Sequence, residues 1–88
     1  MDNIPKNFIE TDLHMSNFDH SIDKGLNEKL KSGPFYADYA AWNFHGDVWF
    51  QNEKFYCKIM RYKLHINTIT ADSLEDIMKI ASDKHGVN

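Results

Sequence analysis

Apolar residues follow two different rhythms along this chain, and the change of rhythm divides it. Over residues 1–20 the rhythm is weak. Phe8, Ile9, Leu13, Met15 and Phe18 are scattered among polar groups, which predicts an irregular arm or an edge segment laid across the body. Ile22, Leu26 and Leu30 then recur every four positions, a narrow apolar stripe that predicts a short helix over 21–31. Asp19 or Ser21 is the expected N-cap. Gly25 falls in the middle of that helix at a cost of about 1 kcal/mol relative to alanine, and Gly33-Pro34 stops it.

From Phe35 the rhythm becomes that of extended chain. Phe35 to His45 is rich in aromatic residues and predicts a strand, Gly46-Asp47 a turn, and Val48-Trp49-Phe50 a return to strand. Gln51 to Lys54 predicts a polar four-residue hairpin loop. Phe55 to Leu64 is the longest strand candidate. Its alternation switches parity: Phe55, Cys57 and Ile59 share one face, Met60, Tyr62, Leu64 and Ile66 the other. A bulge near Ile59–Arg61 would reconcile the two halves. Ile66 to Ile69 continues this strand or forms a short one of its own.

A helix over 72–85 closes the pattern. Asp72-Ser73-Leu74-Glu75 predicts a capping box with Asp72 as N-cap, and Leu74, Ile77, Met78 and Ala81 fall on one helical face. Glu75 and Asp76 open the helix, Lys84 and His85 close it, as the helix dipole favours, and Gly86 supplies the stop. The expected fold is a single α+β domain. A three- or four-stranded antiparallel sheet over 35–71 carries a C-terminal amphipathic helix on one face, with a short N-terminal helix beside it.

Composition sharpens this picture in two places. Ten of the twelve aromatic residues lie between Phe35 and Tyr62, so the core, or an adhesive surface, centres there. Net charge is −3, but the chain is acidic over 1–30 and 67–88 and carries an excess of two cations over 31–66. An acidic total disfavours nonspecific nucleic-acid binding, which depends on neutralising phosphates, while the basic middle keeps that option open. One cysteine permits no internal disulfide. With no signal peptide and no long apolar run, the expected location is cytoplasmic, with no membrane partner.

The chemistry-bearing residues point to binding rather than catalysis. The five histidines show no metal-ligand spacing, Cys57 sits inside an apolar strand, and no glycine-rich loop exists to cradle a phosphate. Hence no enzyme activity, cofactor or metal is expected. Tyr56, Arg61, Tyr62 and Lys63 interleave aromatics with cations, a pattern suited to stacking bases and tracking phosphates or simply to solubilising a sheet. The densest cluster is Tyr39, Trp42, Asn43, His45 and Trp49. Alternation would place Trp42 and Phe44 on one face and Asn43 and His45 on the other. Any of these aromatics left exposed would anchor a partner or a flat ligand, with Asn43 and His45 orienting it.

The block Ala41-Trp42-Asn43-Phe44-His45-Gly46-Asp47-Val48-Trp49-Phe50, with Ala71-Asp72-Ser73-Leu74 behind it, resembles a group of small phage-encoded proteins of unknown function. The likeness runs from about Tyr36 to Gly86. A fainter likeness links the strand–strand–helix order to HicB-type antitoxin domains. The first resemblance transfers no catalytic residue, but it implies a host-directed, anti-CRISPR-like inhibitor acting in the host cytoplasm. The leading expectation is therefore a non-enzymatic protein that binds a host defence effector such as a CRISPR nuclease. The rival expectations are a sponge for a nucleotide immune signal, its pocket formed at a homodimer interface, and a single-stranded nucleic-acid-binding protein.

Overall fold

The computed structural model describes residues 4–85. Eight elements follow one another: β1 (Ile9–Ser16), β2 (Ser21–Ile22), α1 (Leu26–Ser32), β3 (Phe35–Ala40), β4 (His45–Gln51), β5 (Lys54–Arg61), β6 (Leu64–Ala71) and α2 (Leu74–His85). The strands form one mixed six-stranded sheet in the order β2-β1-β3-β4-β5-β6. This corrects the expected three- or four-stranded antiparallel sheet. Strands β3 to β6 do form an antiparallel meander, but β1 adds to it in parallel through β3, and β2 pairs antiparallel with β1 at the outer edge. The segment read as an irregular arm is thus mostly strand. Parallel neighbours need a crossover, and α1 lies in the connection that supplies it.

The uneven apolar pattern of β1 has a local cause. Its register against β3 slips between Glu10 and His14, so four steps along β1 match two along β3. Strict alternation is lost across the slip. Thr11 becomes buried, and its hydroxyl accepts the Leu13 amide hydrogen.

Helix α1 starts later than the stripe of every-fourth residues implied, because Ser21 and Ile22 are drawn into pairing with Ser16 and Met15. Gly25 is its N-cap rather than an interior residue, and it sits at φ +85°, a left-handed position where glycine carries no Cβ penalty. At α2 the cap is also displaced by one. The Ser73 hydroxyl accepts the Asp76 amide hydrogen at 3.1 Å, so Ser73 rather than Asp72 caps the helix. Asp72 instead pairs with Lys54, Nζ to carboxylate 3.1 Å. The expected stop at Gly86 lies outside the described residues.

Both helices cover the same face of the sheet. Leu26 and Leu30 of α1, and Leu74, Ile77, Met78 and Ala81 of α2, form one buried cluster with Ala37, Tyr39, Val48, Phe55, Cys57 and Ile59. Alternate strand residues point the other way, toward a face that neither helix covers. No helix among the described residues is long and apolar enough to cross a membrane.

Expectations in the middle of the chain are corrected as well. Gly46-Asp47 is not a turn: both lie inside β4, and the chain reverses over 41–44 instead. The glycine is required by close strand packing. A Cβ at Gly46 would stand 2.9 Å from the Lys58 carbonyl oxygen and 3.1 Å from Cys57 Sγ. Gly46→Ala is expected to cost about 1–3 kcal/mol through forced displacement of β5. Chemical denaturation would check this, and an unchanged midpoint would show that the sheet gives way freely. The bulge is real, but its extra residue is Ile66 of β6, opposite the Ile59–Met60 step of β5. The expected strand over Phe55–Leu64 is also corrected: β5 ends at Arg61, the chain turns at Tyr62-Lys63, and β5 alternates without interruption with Met60 on the uncovered face.

Candidate functional site

At the end of the sheet where β3 turns into β4 and β5 into β6, two loops stand side by side. Ala41, Trp42, Asn43, Phe44 and His45 from the first, with Arg61, Tyr62 and Lys63 from the second, line an open concavity of 710 Å³. Six of the nine residues singled out in the sequence meet here. The other three lie elsewhere. Tyr39 is fully buried under the helices, with its ring edge on Phe44. Trp49 is also fully buried, and it stacks on half-buried Tyr56 with ring centres 5.5 Å apart.

Exposure at the concavity is unusual for such side chains. Trp42 is 73% exposed and Tyr62 88%, whereas the other tryptophan and Tyr39 are at 0%. Among the described residues Trp42 has one ring neighbour, Phe18 of the β1–β2 connection, in an edge contact at 4.6 Å. That contact crosses 24 positions of sequence, and no local pattern announces it. Phe44 was visible in the aromatic block, but as a strand residue rather than as part of the concavity wall.

The second loop is a two-residue hairpin between Arg61 and Leu64, with Tyr62 at φ 52° and Lys63 at φ 69°. Both values lie in the left-handed region that asparagine and glycine occupy most cheaply, and paired positive φ values are what a tight hairpin of this length demands. The other two-residue hairpin, between Gln51 and Lys54, meets the same demand with Asn52 at φ 54° and Glu53 at φ 64°, not with the four-residue loop expected.

Arg61 joins the two loops. Its Nε donates to the Asn43 carbonyl at 3.0 Å, and its guanidinium also reaches the carbonyl of His85 at 3.5 Å. Both acceptors are neutral, so the guanidinium is held in place with its charge uncompensated. Among the described residues neither Arg61 nor Lys63 makes an ion pair, and no carboxylate lines the concavity. The local field is positive: burial lowers the His85 imidazole below its ordinary value, and the charges of Arg61 and Lys84 lower it further. A chain of net charge −3 thus carries a cationic, aromatic end.

The uncovered sheet face differs in character. Register places Glu10, Tyr36, Trp49, Tyr56 and Thr70 in one row across five strands. The next row is His14, Asp38, Asp47, Lys58 and Thr68. Asp38 and Asp47 are directly opposed. Burial raises the Asp47 carboxyl, and the charges of Asp38 and Glu10 raise it further, against lowering by His45 and Lys58.

Cys57 is buried, which pushes its thiol well above the ordinary value and disfavours the nucleophilic thiolate. No group of three or more His, Cys, Asp or Glu side chains among the described residues is placed to hold a metal ion. No family model, no curated protein and no solved structure matches this chain.

Proposed function

We propose that this chain is a non-catalytic binding protein that engages a partner protein through the aromatic end of its sheet. The observation that carries the reading is the exposure of Trp42 and Tyr62 on neighbouring loops around one concavity. Large aromatic side chains are costly to leave in water and supply most of the energy at protein interfaces when a partner covers them. Following the resemblance of the Ala41–Phe50 block to small phage-encoded proteins, the partner we propose is a host defence protein, most concretely a CRISPR-type nuclease. The mode of action is inhibition by occupying its surface.

The experiment is capture from lysate of a bacterial host with tagged wild-type chain and with the Trp42→Ala/Tyr62→Ala double variant. Both side chains are mostly exposed, so the variant keeps its melting temperature while losing the captured protein. Equal capture by both chains would remove this end of the sheet from consideration. A second reading is favoured by Arg61 and Lys63 beside the two aromatics, which together suit a nucleotide: ring on ring, phosphate on cation. Stabilisation against heating by a panel of cyclic nucleotides, absent with sodium chloride at equal ionic strength, would support it.

A further inference from the structure

The aromatic end has a charge as well as an exposed surface, and that charge selects among partners. We propose that it docks an extended acidic segment of the partner protein, apolar side chains seating on Trp42 and Tyr62 and carboxylates meeting Lys63 and Arg61. This inference rests on the partner-binding reading above and adds the chemistry of the segment bound.

Three observations support it independently. The first is complementarity. The concavity is lined by Arg61, Lys63 and His45 with no carboxylate, although the chain as a whole is acidic. The second is pre-organisation. Arg61 is tied to backbone carbonyls of both Asn43 and His85, so its guanidinium is oriented before any partner arrives, and binding costs less side-chain entropy. The third is the hairpin itself. Tyr62 and Lys63 occupy left-handed positions that favour asparagine and glycine, and Tyr62 gains no packing there, being 88% exposed. Strained backbone that presents exposed side chains is a feature of contact sites. The hairpin between Gln51 and Lys54 places one such residue, Glu53, beside a favoured asparagine, whereas here neither turn residue is asparagine or glycine. Carboxylates suit this geometry because a guanidinium and an ammonium can share a row of them spaced along extended chain.

The test uses the full chain and a fluorescently labelled peptide of alternating glutamate and leucine, read by anisotropy. A lysine–leucine peptide of equal length is the comparison. Wild-type protein is expected to bind the acidic peptide saturably and the basic one at least tenfold more weakly, with affinity falling as salt rises. Lys63→Glu is expected to weaken binding of the acidic peptide by about tenfold or more. Lys79→Glu, an equal charge change on the exposed side of α2, should leave it unaltered. Circular dichroism on each variant separates lost binding from lost fold.

Absence of saturable binding, indifference to Lys63→Glu, or an equal loss with Lys79→Glu would each overturn the proposal. So would displacement of the peptide by adenosine monophosphate that depends on Lys63, since the occupant would then be a nucleotide. Lys63-dependent self-association in sedimentation would equally overturn it, because the acidic segment would belong to a second copy, whose open face carries Glu10, Asp38 and Asp47. The two readings fail separately. Host-protein capture lost with Trp42→Ala/Tyr62→Ala but kept with Lys63→Glu would leave the aromatic site standing without its charge preference.

Discussion

Trp49→Ala is expected to cost about 3–5 kcal/mol, enough to leave this domain largely unfolded at ordinary temperature. The size follows from position. Trp49 is fully buried although it points away from the helices, in the centre of the aromatic row. Its ring stacks on Tyr56, its partner in register, at an interplanar angle of 16°, and its Nε1 donates to Gln51 Oε1 at 3.0 Å. Truncation removes the ring contacts, leaves a cavity above the middle of the sheet, and frees the Gln51 acceptor. Urea denaturation followed by far-ultraviolet circular dichroism checks it. A loss below about 1 kcal/mol would show that the open face contributes little to stability. Trp42→Ala is the internal comparison, since the same chemical deletion at a residue 73% exposed should change stability by under about 0.5 kcal/mol.

The opposite sign is expected at the β5–β6 hairpin. Replacing Tyr62-Lys63 by Asn-Gly should stabilise the fold by about 1–3 kcal/mol, because both residues then occupy left-handed φ values at little steric cost. For a domain of this size each kcal/mol corresponds to roughly 4–8 °C in melting temperature, so the gain is easily resolved by scanning calorimetry. The same variant should lose partner binding. Stability gained where function is lost is the signature of a strained contact site. A destabilised Asn-Gly variant would mean that Tyr62 or Lys63 supports the fold in a way its exposure does not suggest.

How much of this protein the chain announced differs from element to element. The apolar face of α2 was fully legible, since Leu74, Ile77, Met78 and Ala81 fix it by spacing alone and are the residues buried. Its cap was legible only to within one position. Asp72 and Ser73 are both competent N-caps; in the fold Ser73 takes the role, while Asp72 pairs with Lys54 of a distant strand end. Gly46 illustrates a different limit. Glycine next to aspartate signals a turn, but the same residue also serves where two strands approach closely, and only the position of the Lys58 carbonyl distinguishes the uses. Strand β1 is hidden in the sequence because its register slip breaks the alternation, and because its partner β3 is reached through a crossover rather than a hairpin.

The candidate site was half legible for a related reason. An aromatic block between Phe35 and Tyr62 is evident, but alternation assigns residues to two faces without saying which face the helices cover. With both helices on one side, Tyr39 enters the main core and Trp49 the opposite face, while the reversal over 41–44 releases Trp42 from either. Lys63 and Trp42 are 21 positions apart and meet only because adjacent hairpins of a meander bring their connections to the same end of the sheet. By itself, the sequence determined what short-range physics controls: the helical face of α2, the extended character of the chain from Phe35 onward, and the concentration of aromatic side chains in the middle of the chain. Of the places where that extended chain reverses, it marked only the one at Asn52-Glu53, and there with too long a loop. The tertiary structure alone decided the parallel addition of β1, which aromatics are buried, and the meeting of Trp42 with Tyr62 and Lys63. These depend on contacts between segments far apart in the chain, whose favourable energy arises only after the connecting loops have closed.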